Sequence, residues 1–138
     1  MKVCVIGSGN GGLAIAFDYA IHGHDVFLTD FEEFSQNIKD LNQEGGLTAE
    51  GELEGKVNLA YAGTDIGHAI TGADLIIACG PAYSTARMAE AAKPYLTPGQ
   101  PVLVSPSSCA GAIVFKQVLG VSLQDPSYPV AETSTLPY

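Results

Sequence analysis

The sequence is poor in positive charge. It holds six Lys and Arg against fifteen Asp and Glu in 138 residues, a formal net charge of −9. Such a chain is repelled by polyanions, which argues against nucleic acid or an acidic membrane leaflet as a partner. Long apolar runs are also missing. None approaches the length that spans a bilayer and no cationic leader precedes Lys2, so a cytoplasmic chain without membrane association is expected. Cysteine is scarce and scattered. Cys4, Cys79 and Cys109 are odd in number and far apart, which excludes a disulfide framework or a zinc-ligand pair. Neither a paired metal-ligand motif nor a Gly-x-Ser-x-Gly elbow occurs, so no metal site and no elbow nucleophile is expected.

What the sequence does have is apolar residues, 46% of the total, enough for one domain with a real core. Its organising stretch is Gly7-Ser8-Gly9-Asn10-Gly11-Gly12, which follows the apolar run Val3-Cys4-Val5-Ile6 and opens a helical pattern. Glycines there let backbone N–H groups approach a phosphate, and the following helix points its positive end at the same place. Gly7 suits the tight turn, Gly9 the approach of the pyrophosphate, and Gly12 close packing of helix on strand.

The elements alternate along the chain. Residues 2–7 read as a strand buried on both faces, and Leu13, Phe17, Ala20 and Ile21 place a helix over residues 10–21. Residues 25–30 read as a second strand, completing a βαβ unit. Phe31, Phe34, Ile38 and Leu41 place a helix directly after Asp30. Over residues 47–62 the period changes to two, predicting a β-hairpin insertion with its turn at Gly55-Lys56 and Tyr61 on the returning strand. Asp65 can cap a short helix through Ile70, and residues 73–79 read as a buried strand closed by Gly80-Pro81. A helix over residues 83–92, a strand at residues 102–104, a helix around Ile113, Val114, Gln117 and Val118, and a strand over residues 129–133 complete the pattern. The fold class is α/β, a doubly wound, mostly parallel sheet of Rossmann type.

Asp30, at the end of the second predicted strand, is positioned to accept the hydroxyl hydrogens of an adenosine ribose and to repel a 2′-phosphate. Phe31, Glu32 and Glu33 follow, with no nearby arginine, so NAD is preferred over NADP. The alternative is that Asp30 merely caps the helix beginning at Phe31. The faint P-loop pattern at residues 51–57 is one residue short and ends in Val57, where a hydroxyl is needed. His22 and His24 flank a turn, and His68 lies on the short helix near Asp65, none with an evident catalytic partner. Cys4 and Cys79 read as small buried residues, whereas Cys109 sits at a possible helix start.

Taken together, the glycine turn, Ala73-Asp74-Leu75-Ile76-Ile77, Gly80-Pro81-Ala82 and the closing Glu132-Thr133-Ser134-Thr135-Leu136-Pro137-Tyr138 resemble the N-terminal domain of the opine (octopine-type) dehydrogenases. The resemblance runs over essentially the whole chain, and the closing motif is its most specific part. It implies a domain, residues 1–138, that binds NAD for an oxidoreductase. There a 2-keto acid and an amino acid form an imine that NAD(P)H reduces. It also implies a helical second domain, absent from this chain, that supplies the catalytic histidine and its acidic partner, so no catalytic residue is assigned here and the isolated chain is expected to be inactive. Gly80, Pro81 and Ala82 are implied to line the cofactor. Ser105 and Pro106 are implied to approach the nicotinamide, and Glu132 and Thr133 to border the substrate crevice.

Where the family has a glycine-rich run, this sequence reads Ser107-Ser108-Cys109-Ala110-Gly111-Ala112, which leaves the keto acid open. A simple 2-keto acid or 2-hydroxy acid reductase and a non-catalytic NAD(H)-sensing module are the alternatives. A bare surface near Ala82, Ser107 and Leu136 would favour self-association into a homo-oligomer.

Overall fold

A computed structural model of the chain describes residues 1–107 and 109–136. Among the described residues eight strands and five α-helices follow in order: β1 (Lys2–Ile6), α1 (Asn10–Ile21), β2 (Asp25–Thr29), α2 (Gln36–Glu44), β3 (Leu47–Ala49), β4 (Gly55–Val57), β5 (Tyr61–Gly63), α3 (Ile66–Ile70), β6 (Leu75–Ala78), α4 (Thr85–Ala92), β7 (Val102–Val104), α5 (Gly111–Leu119) and β8 (Val130–Glu132). Six strands form one sheet in the order β5-β2-β1-β6-β7-β8, every pairing parallel. Strand order therefore reverses between β1 and β6, and open parallel sheets bind ligands outside the carboxyl ends of strands at such a point.

Alternation along the strands divides the core in two. Val3, Val5, Val26, Leu28 and Ile77 pack with Ile15 and Ala16 of α1 and with Ile38 and Leu41 of α2. Cys4, Ile6, Ile76, Ala78, Val102 and Val104 point the other way, onto Ile70 of α3, Met88 and Ala92 of α4 and Phe115 of α5. Burial on both faces is why β1 and β6 read as unbroken apolar runs.

Several boundaries differ from the sequence expectation. The helix predicted directly after Asp30 is interrupted: a 3-10 turn, Glu32–Phe34, precedes α2, and the buried Ser35 hydroxyl donates to the Glu32 carbonyl at 2.7 Å between them. Phe34, expected inside, is exposed at the break. In α1 Phe17 is buried as expected, together with Ile15 and Ala16, while Ile21 is exposed, because a helix apolar nearly all round does not reveal which side meets the sheet.

The hairpin exists but its turn is misplaced. Leu47, Thr48 and Ala49 pair antiparallel with Val57, Lys56 and Gly55, so Gly55 and Lys56 are strand residues and residues 50–54 make the connection. Tyr61 is not on the returning strand; it begins β5, which pairs parallel with β2 in the main sheet. An alternating pattern gives a strand's faces without naming its partner. Ile113 of α5 is exposed, and Phe115 and Lys116 face inward in its place. The buried Lys116 ammonium donates to the carbonyls of Leu123 and Asp125 at 2.9 and 2.8 Å, tying down the segment after the helix.

Candidate functional site

The turn between β1 and α1 is shaped by two close approaches that only glycine permits. Gly7 has φ +118°, and a Cβ placed there would lie 2.0 Å from the Cys79 carbonyl oxygen at the end of β6. A Cβ on Gly12 would lie 1.8 Å from the Gly7 carbonyl oxygen, so the first turn of α1 sits directly on the loop that precedes it. Around Gly9, by contrast, a Cβ would meet nothing within 4 Å. Gly9 is the N-cap of α1 and no side chain caps the helix; the first intrahelical bond runs from the Leu13 amide to the Gly9 carbonyl. The amides of the first turn are thus left for an acceptor from outside, at the positive end of the helix dipole.

A cleft of about 500 Å³ opens over this turn. One wall is Gly7, Ser8 and Gly9; Asp30 and Phe31 from the end of β2 form a second; Gly80 and Pro81 after β6 form a third. These seven residues were expected at the site, and the topology brings them together. Asn10, Gly11 and Gly12 lie behind them in the first turn of α1, and Ala82 opens an exposed 3-10 turn, Ala82–Ser84.

Asp30 is buried at 6% exposure and engages the turn directly. Its Oδ2 accepts from the Ser8 amide at 2.6 Å and the Ser8 hydroxyl at 2.8 Å, while Oδ1 accepts from the Phe31 amide at 2.8 Å. Asn37 of α2 donates to the Ser8 carbonyl at 2.7 Å, so Ser8 is held from both sides. A carboxylate offers about four acceptor positions, and three are filled here, leaving room for one ribose hydroxyl rather than two. Capping does not account for Asp30: the 3-10 turn has no side-chain cap, and α2 starts only at Gln36.

Ser105, Pro106 and Glu132 lie outside this cleft, at the ends of β7 and β8. Ser105 is buried and its hydroxyl accepts from that of Thr133 at 2.8 Å. The Glu132 carboxylate accepts from the Ser107 hydroxyl at 3.0 Å and the Ala112 amide at 2.8 Å, at the start of α5. Ser107 is itself buried, accepting from the Gly111 amide at 2.8 Å, and Leu136 is half-buried beside Gly11. Of the three residues near which a bare surface was expected, Ala82 is exposed, Leu136 is half-buried and Ser107 is buried. The expectations that rest on Ser108, Pro137 and Tyr138 lie outside the described residues.

The cleft also contains groups that the sequence did not announce. Arg87 of α4 lines it, with its guanidinium carbon 3.8 Å from the centre of the Phe31 ring and an ion pair to Glu33. The absence of a nearby arginine, inferred from the residues that follow Asp30, is corrected by the fold. The hydrogen bond from Arg87 holds the Glu33 carboxyl below its ordinary range, and Glu33 raises Arg87 in turn. A usable signal did exist: α4 follows β6, whose end faces the glycine turn at the reversal, so its first turns had to border the cleft. Cys79 also lines the cleft, and burial pushes its thiol up, away from the thiolate form. Cys4 is buried within β1 and Cys109 is exposed. The His68 ring packs on Phe27 and Tyr61, away from these groups. Among the described residues no group of three or more His, Cys, Asp or Glu could hold a metal ion, and no helix is long and apolar enough to cross a membrane.

Strand order 3-2-1-4-5-6 in the main sheet, a glycine turn at the reversal and an acid at the end of the second strand define a Rossmann-type dinucleotide-binding domain. The chain belongs to the family described as the NAD-dependent glycerol-3-phosphate dehydrogenase N-terminus, whose model matches residues 2–108. NAD is accordingly its cofactor class. Beyond that segment the similarity continues. An opine dehydrogenase of Arthrobacter sp. (strain 1C) is 33% identical over 133 residues, covering 96% of this chain and 36% of that protein. An octopine dehydrogenase solved in complex with NADH and agmatine superposes over 100% of this chain and 36% of its own, with TM-score 0.87 and 25% identity. A PanE/ApbA family ketopantoate reductase from Ralstonia eutropha JMP134 covers 94% of this chain and 40% of its own, with TM-score 0.72 and 25% identity. The chain thus spans little more than a third of the length of the opine dehydrogenase it matches.

Proposed function

We propose that this chain is the cofactor domain of an opine dehydrogenase-like oxidoreductase, which reduces the imine formed from a 2-keto acid and an amino acid. The observation that carries the reading is the similarity to opine dehydrogenase across 96% of the chain, which extends past residue 108 into β8 and the segment after it. In this reading the amides of Gly9, Asn10, Gly11 and Gly12 hold the pyrophosphate. Asp30 accepts from the adenosine ribose beside Phe31, and Gly80, Pro81 and Ala82 guide the dinucleotide across the reversal. Ser105, Pro106 and Glu132, at the ends of β7 and β8, border the nicotinamide end.

Fit to the dinucleotide is supported by the open space at Gly9, the uncapped helix start and the acceptor position left on Asp30. The nicotinamide, when bound, supplies the hydride. What these residues contribute is binding and orientation: the turn fixes the phosphates, and the strand ends fix the direction in which the ring projects. In this reading the acid-base groups are supplied by a further part of the protein. NADH titration into residues 1–138 tests the binding, with saturable binding and no keto acid-dependent NADH oxidation expected. Robust turnover by this chain alone contradicts the assignment.

A second reading, reduction of a simple keto acid, is supported by the superposition on a ketopantoate reductase. The two separate on one measurement. In the longer protein, NADH oxidation that requires an added amino acid supports imine reduction, and oxidation that ignores it supports the simple reductase.

A further inference from the structure

Arg87 is the only arginine in the sequence. The fold carries it across the strand reversal, from α4 to the segment after β2, and sets it beside Asp30. Two contacts hold it. The guanidinium pairs with the Glu33 carboxylate at 2.5 Å and lies over the Phe31 ring at 3.8 Å. Packing does not explain the arrangement, because the side chains of Arg87 and Glu33 are each about half exposed, at 49% and 51%. An ion pair so open to water contributes little to stability.

Its position suggests a different role. In a domain of this kind the acid after the second strand meets the ribose 2′-hydroxyl, and an arginine nearby is what accommodates a 2′-phosphate. Here the arginine is present and is the only cation lining the cleft among the described residues, yet its charge is already matched by Glu33. A 2′-phosphate brought to Asp30 would face the Asp30 and Glu33 carboxylates and would compete with Glu33 for the guanidinium.

Resting on the dinucleotide reading above, we propose that Glu33 is a selectivity latch: by pairing with Arg87 and keeping it over the Phe31 ring, it withholds the one cation lining the cleft that could bind a 2′-phosphate and so makes the cleft selective for NAD(H). The latch is a specificity-determining contact made by residues far apart in sequence. Releasing it does not require importing an arginine, because removal of the Glu33 charge frees the one already there. Gln at position 33 keeps the length of the side chain and loses the charge, and Arg87 can then turn toward a phosphate as a bidentate donor.

The test uses residues 1–138 and titrates NADH and NADPH separately into the unaltered chain, Glu33→Gln and the double variant Glu33→Gln/Arg87→Gln. Charge-assisted hydrogen bonds of this type predict that Glu33→Gln lowers the ratio Kd(NADPH)/Kd(NADH) by about tenfold. The double variant is expected to return the ratio to its original value. An unchanged ratio in Glu33→Gln overturns the latch. So does a gain that persists in the double variant, since it would come from lost repulsion and not from a released arginine. Thermal unfolding midpoints close to the original are expected for both variants, given their exposure. NADH binding with unaltered selectivity sinks the latch alone, whereas no NADH binding to the unaltered chain overturns the dinucleotide reading and the latch with it.

Discussion

One oxygen of the Asp30 carboxylate accepts from both the amide and the hydroxyl of Ser8, at 2.6 and 2.8 Å. The end of β2 is thereby tied to the glycine turn after β1, so the two parts that the proposed function assigns to ribose and to pyrophosphate are braced against each other. Hydrogen bonds to a buried charge are among the stronger ones, and removing the carboxylate takes the acceptor from three donors, the Ser8 amide, the Ser8 hydroxyl and the Phe31 amide. Asp30→Ala is expected to cost about 3 kcal/mol in urea denaturation and Ser8→Ala about 1 kcal/mol. Asp30→Asn keeps an acceptor and should fall between them. An Asp30→Ala variant as stable as the original would show that the carboxylate does not brace the turn.

Gly9 and Gly12 belong to one motif but should fail in different ways. A methyl on Gly12 meets the Gly7 carbonyl oxygen at 1.8 Å, whereas one on Gly9 meets nothing within 4 Å. Gly12→Ala is expected to cost more than about 3 kcal/mol or to prevent folding, since backbone must shift to admit it. Gly9→Ala should stay within about 1 kcal/mol of the original, the scale of a helix-cap change. On the proposed dinucleotide reading its effect belongs to binding: NADH affinity should fall by about tenfold or more, because the methyl would occupy the space that reading gives to the pyrophosphate. Calorimetric unfolding paired with NADH titration separates the two.

How far the molecule can be read from its sequence follows from the same geometry. Val3 to Ile6 and Val102 to Val104 were legible as strands because burial on both faces leaves unbroken apolar runs, and the Gly7 turn because it lies between a strand and a helix. The place of Tyr61 was not legible: an alternating segment suits a hairpin partner or a sheet edge equally, and only the pairing of β5 with β2 decides. Arg87 was missed for a related reason. Its neighbours Phe31 and Glu33 are remote in sequence, and nothing local to either segment encodes the contact. Glu132 was legible as part of a motif, but its bonds to Ser107 and Ala112 depend on where β8 meets the start of α5.

Two buried polar side chains should respond to substitution with opposite signs. Gln100 is saturated: its amide nitrogen donates to the carbonyls of Ile70 and Ala73 at 3.1 and 3.0 Å, and its oxygen accepts from the Thr97 amide at 2.8 Å. Gln100→Leu strands all three backbone groups and is expected to cost about 3 kcal/mol. The Thr29 hydroxyl, fully buried in β2, has no hydrogen-bond partner. Thr29→Val keeps the shape and removes the unpaired group, so a gain of about 1 kcal/mol is expected. Denaturant midpoints measured side by side check both signs.

The thiol of Cys4 makes stability depend on alkaline pH. Burial pushes its pKa up to about 12, against an ordinary value of 9.0, with a smaller opposing pull from the Lys2 charge. Below pH 9 the folded and unfolded chains both keep the proton, and the thiol contributes no pH dependence. Between pH 9 and about 12 the unfolded chain releases it while the folded chain does not, so stability is lost as pH rises. The slope from this one group approaches about 1.4 kcal/mol per pH unit. Cys79 is raised by burial as well and adds in the same direction. The informative quantity is the difference between the original chain and Cys4→Ala, which isolates this one group. That difference should favour the original at pH 7, where the variant leaves a small cavity, and shrink steadily above pH 9. A gap that stays constant to pH 11 would mean that Cys4 ionises as readily folded as unfolded, and that β1 is open to water where the core is drawn closed.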